Sequence, residues 1–331
     1  MKEIFVVALL IGAVSYFASD IVFNRRYGFV KYSGIELYIV GVLFSFVTDK
    51  NIISSLHIFV IVALTFIGFS FGIQFNRNMV KRITFKELFF AFLFSLTFFV
   101  IYLLLGLLGF NDNREVLSMI LSMPSVSFLF AIGEKRFSVV SSEISIVFVL
   151  LFGSFLKFGF STLVVFLLSP VFAFVLFFFE KALNKEEMNI ILFALLLIES
   201  SLSASLGFDP LLSSWLFGFV FALLSNSQVF IKSFDALERP LFLSLLFFIG
   251  ANFGSGFYEL PKLLSLILPA LVKPAFGGLL FHSNPLLFLP IGAMGIAVAA
   301  ESNSSKIMTF TVISYFMFLF LSEVFRRKFL K

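Results

Sequence analysis

One lysine, two glutamates and a pair of interrupted apolar stretches are the parts of this 331-residue chain with the most chemistry to offer. Lys273 stands in the middle of an apolar run and is followed by Pro274. It is too central to snorkel to a membrane surface. An ammonium there gives up its proton, recruits a carboxylate, or is anchored on the carbonyls of a broken helix. Glu143 is the expected carboxylate partner, read alternatively as an end-of-span residue facing a loop; Ser145 beside it adds a hydroxyl. Glu199 stands among Ser200, Ser201 and Ser203, read either as a functional acid or as a carboxyl held neutral by hydrogen bonds between helices. Asp209, before Pro210, has the form of a helix cap with proline at the first helical position. Glu301, near Ser302, Asn303 and Ser304, reads as interfacial, and Asp20 and Glu36 as partners of the basic loop 24–32. His57 and His282 stand alone and there is no Cys. The expectation is therefore no metal centre, no cofactor, no catalytic residue and no enzyme activity of the soluble type.

Two apolar stretches are interrupted. Ser122-Met123-Pro124-Ser125 breaks one, and Pro290, Gly292 and Gly295 break another. Proline removes a backbone donor and clashes with the preceding turn. Carbonyls and half-helix ends freed at mid-membrane depth offer partial charges to an ion. The candidate transport site is therefore Ser122, Pro124, Ser125, Glu143, Ser145, Lys273, Pro290 and Gly292, with Glu199, Asp209 and Glu301 behind them. The plainer reading of either break alone is a packing kink.

The elements that must hold these residues are membrane spans. Sixty per cent of residues are hydrophobic and 13% charged, against about 45–50% and about 25% in soluble domains. The apolar residues run unbroken, as from Leu88 to Phe110, rather than alternating, so helices and not barrel strands are expected. Thirteen spans are predicted: 4–23, 33–48, 52–74, 87–110, 115–132, 139–155, 158–180, 188–206, 209–225, 239–256, 259–281, 284–300 and 306–325. No signal peptide and no soluble regulatory domain are expected. With alternating loops, 17 of the 24 Lys and Arg residues fall on one side and 6 on the other, Lys273 being the remaining one. That bias places the N-terminus outside and the C-terminus in the cytoplasm, across the cell (inner) membrane. The net charge of +5 is then a topology signal, with the lipid bilayer and not nucleic acid as partner. Phe66 to Gly72 (FIGFSFG) and Phe248 to Gly254 (FIGANFG) share F-I-G-x-x-F-G seven spans apart. The two breaks stand at the same offset. An odd offset inverts the second copy, and matched broken helices in inverted halves point to a transporter site.

Leu206 to Gly218 (LGFDPLLSSWLFG) resembles the G-L-S-P-L-L-G-A-F-L-A-G signature of monovalent cation/proton antiporters. Ser122-Met123-Pro124-Ser125 resembles that family's first broken helix, Pro290-Ile291-Gly292 its second, and Lys273 matches its basic core residue. The resemblance covers most of the chain. It implies about thirteen helices in two inverted repeats and a homodimer, with 1–74 and 188–256 as scaffold, 87–155 and 259–325 as moving core and 158–180 as linker. It also implies sodium or potassium exchange for protons. The sequence departs from the family at its ion-binding acid: aligned on Glu143, the usual Asn-Asp becomes Val147-Phe148. Three functions compete on these grounds. One is a cation:proton antiporter with a displaced carboxylate; the second, a transporter of an anionic or neutral solute; the third, a transport-inactive scaffold.

Overall fold

The computed structural model describes residues 35–48, 52, 56–126, 129, 134–180, 185–225, 228–252, 265–302 and 304–329. The expected span at 4–23 and Asp20 lie outside them. The named elements among the described residues are all helical: α1 (Ile35–Val47), α2 (His57–Gln74), the single turn α3 (Arg77–Val80), α4 (Phe85–Ser95), α5 (Thr97–Leu107), α6 (Arg114–Ser122) and α7 (Arg136–Phe158). They continue with α8 (Ser161–Glu180), α9 (Lys185–Leu206), α10 (Pro210–Leu224), α11 (Gln228–Ala251), α12 (Ile267–Phe281), a 3-10 turn (Pro285–Phe288), α13 (Ala293–Glu301) and α14 (Ser305–Phe329). Among the described residues, five stretches are long and apolar enough to cross a membrane: His57–Gln74, Phe85–Leu107, Arg136–Phe158, Ser161–Glu180 and Glu187–Leu206. Shorter apolar helices, Pro210–Leu224 and Ile267–Phe281 among them, accompany these. Large apolar side chains such as Phe85, Leu107, Phe160, Leu167 and Phe178 point outward. That is a tolerable arrangement where the solvent is lipid. The chain is a multi-pass helical membrane protein.

Local chemistry shapes the helices. The expected span 87–110 is α4 and α5 in sequence, jointed at Leu96. There Ser95 Oγ donates to Phe92 O at 2.6 Å and Thr97 Oγ1 to Phe94 O at 2.8 Å. Such back-bonding competes with the main-chain ladder and bends a helix. Thr84 and Glu87 form a reciprocal capping box that starts α4.

The chain forms two compact units. The described part of unit 1 lies within Lys50–Arg82 and Ser154–Leu245; that of unit 2 lies within Ile21–Asp49, Ile83–Gly153 and Leu246–Lys331. In unit 1, α2 and α10 approach until backbone meets backbone. Gly68 lies against Ser214 and the Leu211 carbonyl, Gly72 against the Trp215 carbonyl and Gly218 against the Phe69 carbonyl. Around this contact Phe66, Phe69, Leu176, Leu192, Leu196, Phe217 and Phe221 form a buried core. In unit 2, Gly41 of α1 lies against the Phe247 carbonyl, and Gly250 against the Tyr38 carbonyl. Small residues set such distances between membrane helices, where apolar surface alone gives no drive to associate. Gly68 and Gly250 are the same position of the two F-I-G-x-x-F-G copies. The repeat therefore has a physical content: in each copy that glycine admits a neighbouring helix's main chain.

Candidate functional site

The two interrupted stretches meet within unit 2. Helices α6 and α13 are nine residues each. At about 1.5 Å per residue each covers under half of a hydrocarbon core about 30 Å thick. Met123 leaves α6 with φ −73° and ψ 122°, which is extended backbone. Pro124 and Ile291 then pair as an isolated antiparallel bridge, and Gly292, at φ −81° and ψ 171°, leads into α13. A Cβ on Gly292 would stand 2.6 Å from the Pro124 carbonyl oxygen and 3.3 Å from Ser125 Cα, so only glycine permits this crossing.

Lys273 of α12 is 1% exposed. Its Nζ donates to the Met123 carbonyl at 3.0 Å and to the Pro290 carbonyl at 3.0 Å. One ammonium thus joins the extended segments of both interrupted helices. The Met123 carbonyl lies at the C-terminal end of α6, where the helix dipole is negative and a cation is favoured. The expected pairing of Lys273 with Glu143 is not what the structure shows. The two carbonyls, released by the breaks, take the ammonium instead, and no bond joins it to Glu143. Anchoring on broken-helix carbonyls, the other sequence reading, describes the geometry.

No protein-family description matches this chain, and no curated protein sequence does. A solved structure does. The sodium proton antiporter MjNhaP1 from Methanocaldococcus jannaschii, at pH 8, aligns with a TM-score of 0.64. The alignment covers 98% of this chain and 96% of that one, at 14% identity. The two share a fold. At that identity the likeness speaks for architecture alone, an all-α membrane fold of two inverted repeats with crossing broken helices.

The remaining candidates fall in four places. Around the crossing, Ser122 is buried and its hydroxyl donates to Met119 O at 3.1 Å. The Ser125 carbonyl restarts a turn by accepting from Leu129 N at 3.1 Å. On α7, Glu143 is half-buried, and Ser145 is buried with its hydroxyl turned back to Ser142 O at 2.7 Å. Sequence reasoning passed over Ser141 and Ser142, whose hydroxyls are fully enclosed and have no hydrogen-bond partner. Phe148 packs against Phe92, at 5.8 Å between ring centres, and Phe152, at 6.3 Å. Phe92 is itself exposed, so that side of α7 faces outward. Glu301, half-buried, ends α13.

Glu199 and Asp209 belong to unit 1, whereas the crossing belongs to unit 2. Asp209 caps α10, its Oδ1 accepting from Leu211 N at 2.9 Å and Leu212 N at 3.0 Å. Its Oδ2 accepts from Ser154 Oγ at 2.5 Å. The cap reading was legible in Asp209-Pro210; the Ser154 partner, 55 residues away, was not. Glu199 is 1% exposed and accepts from Ser213 Oγ at 2.5 Å.

Proposed function

We propose that this protein is a secondary transporter that exchanges a monovalent cation, Na⁺ or K⁺, for protons by alternating access around the crossing. The observation that carries the reading is the Lys273 ammonium between the Met123 and Pro290 carbonyls. Oxygens arranged to hold –NH₃⁺ are hard neutral ligands of the kind a monovalent cation takes. A cation arriving there meets a positive charge already in place. Two unit charges about 4 Å apart repel by about 4 kcal/mol at an effective dielectric of about 20. That is close to a thousandfold preference for one occupant at a time. Release of the Lys273 proton as the cation binds, and its recovery as the cation leaves, is an exchange of one for the other. The likeness to a sodium proton antiporter supports the same reading at the level of fold. Glu143, half-buried on α7, is the carboxylate available to accompany a bound cation. In this reading the protein works as a homodimer in the cell membrane, N-terminus outside and C-terminus in the cytoplasm.

A second reading, transport of an anion, draws on the same lysine, because its neighbours are carbonyls and not a carboxylate. One experiment separates them. The protein is reconstituted in liposomes holding a pH-sensitive dye and pulsed with Na⁺, K⁺ or Li⁺. Cation exchange gives a cation-driven pH change that Lys273→Ala abolishes and Glu143→Gln reduces. Correctly inserted protein that answers no cation overturns the cation reading.

A further inference from the structure

Unit 1 contains a second cluster of buried polar groups that the crossing does not use. Glu199 sits in α9 with seven residues of helix still to follow, and is 1% exposed. Its Oε1 accepts from Ser213 Oγ of α10 at 2.5 Å, and that hydroxyl is 3.1 Å from Ser169 Oγ of α8. Ser169 and Ser213 are buried as well. One oxygen from each of three helices therefore joins a single hydrogen-bonded chain, Ser169–Ser213–Glu199. The second carboxyl oxygen, Oε2, is fully enclosed and has no hydrogen-bond partner. Among the described residues, the three helices packed most closely on α9 (α2, α8 and α10) carry no lysine or arginine. Helix α2 carries His57 at its first position, α8 carries Glu180 at its last, and α10 has Asp209 only as its cap. From Met188 onward, α9 itself has Glu199 as its one ionisable residue.

A carboxylate in such surroundings would leave a buried charge uncompensated, which is costly. A hydrated or multiply coordinated cation needs several oxygens, and one oxygen alone is unclaimed here. A proton needs one. We propose that Glu199, with Ser213 and Ser169, is a proton-binding site of unit 1 that takes up and releases one proton at Oε2. The bond made is O–H on Oε2 and the bond broken is an O–H of hydronium, which leaves as water, so no other reactant is required. Ser213, donating to Oε1 and within reach of Ser169, orients the carboxyl and links it to α8. The site stands independently of transport at the crossing.

Infrared spectroscopy of the protein in liposomes tests this without any flux assay. A neutral carboxyl shows a C=O stretching band separate from that of a carboxylate. The proposal expects such a band in wild type, lost in Glu199→Gln, retained in Glu143→Gln, and converted to the carboxylate band as pH is raised. Ser213→Ala removes the hydrogen bond to the carbonyl oxygen, so the band moves to higher frequency while the fold is kept. Glu199→Asp, should the glutamine variant misfold, restores a band at a displaced frequency. Absence of any band sensitive to these changes overturns the proposal. A Glu199 band that stays constant across all pH values does so too, because the proton would then be fixed. Failure of cation exchange in liposomes leaves these spectra unaffected, so the two readings fail separately.

Discussion

Replacing Gly292 with alanine tests whether the crossing is held by main-chain contact. The added Cβ would lie 2.6 Å from the Pro124 carbonyl oxygen, whereas carbon–oxygen contacts settle at about 3.3–3.6 Å. One strand of the bridge must therefore retreat by about 0.7 Å. Overpacking of this kind costs about 1–3 kcal/mol. The retreat also carries Pro290 or Met123 away from Lys273. A Lys273 bond of 3.0 Å lengthened to about 3.7 Å is no longer a hydrogen bond. Loss of one bond to a charged group adds about 1.5–3 kcal/mol. The expected cost of Gly292→Ala is thus about 2.5–6 kcal/mol by reversible unfolding in mixed micelles. In a Lys273→Met background the second contribution is already gone and the cost falls to about 1–3 kcal/mol. The cycle should therefore show a coupling of about 1.5–3 kcal/mol. Additivity of the two changes within about 0.5 kcal/mol, or a neutral Gly292→Ala, refutes the argument that a single ammonium and a glycine fix the crossing together.

Other changes follow from the same structure. Gly68→Ile and Gly250→Ile should destabilise to similar degrees, each by about 1–3 kcal/mol or more, because each forces apart a helix pair at the same repeat position; unequal costs would argue against equivalent roles. Asp209→Ala should cost about 0.5–2 kcal/mol in unfolding measurements, and Asp209→Asn much less, since asparagine still accepts from Leu211 and Leu212. Phe148→Asp should yield no gain in cation-driven pH change in liposomes, because the side chain at 148 packs toward Phe92 and Phe152 rather than toward the crossing.

Much of the architecture was legible in the sequence. The unbroken apolar runs gave the spans, Pro124 and Gly292 marked the two breaks, and Asp209-Pro210 marked a helix start. The F-I-G-x-x-F-G copies marked a repeat, but the glycine contacts at Gly68 and Gly250 emerged only in the fold. The partners were harder. Lys273 was paired with Glu143 because charges are visible in a sequence and carbonyls are not. Every residue has a carbonyl, so nothing marks Met123 and Pro290 as the two whose geometry leaves them open to a donor. The same limit hid Ser213 and Ser169 beside Glu199, and Ser154 beside Asp209. Serine is common here, and a hydroxyl shows its value only once a neighbouring helix is in place.

The crossing of Pro124 and Ile291 carries a consequence for how such a protein changes over time. Its spacing is set by peptide groups, by an absent side chain at Gly292 and by one ammonium. Peptide groups are identical whatever residues bear them. Around a joint built in this way nearly every side chain is free to be replaced, provided it remains apolar. An architecture can then persist while its lettering is rewritten, and that is the condition in which 14% identity accompanies a match across 98% of the chain.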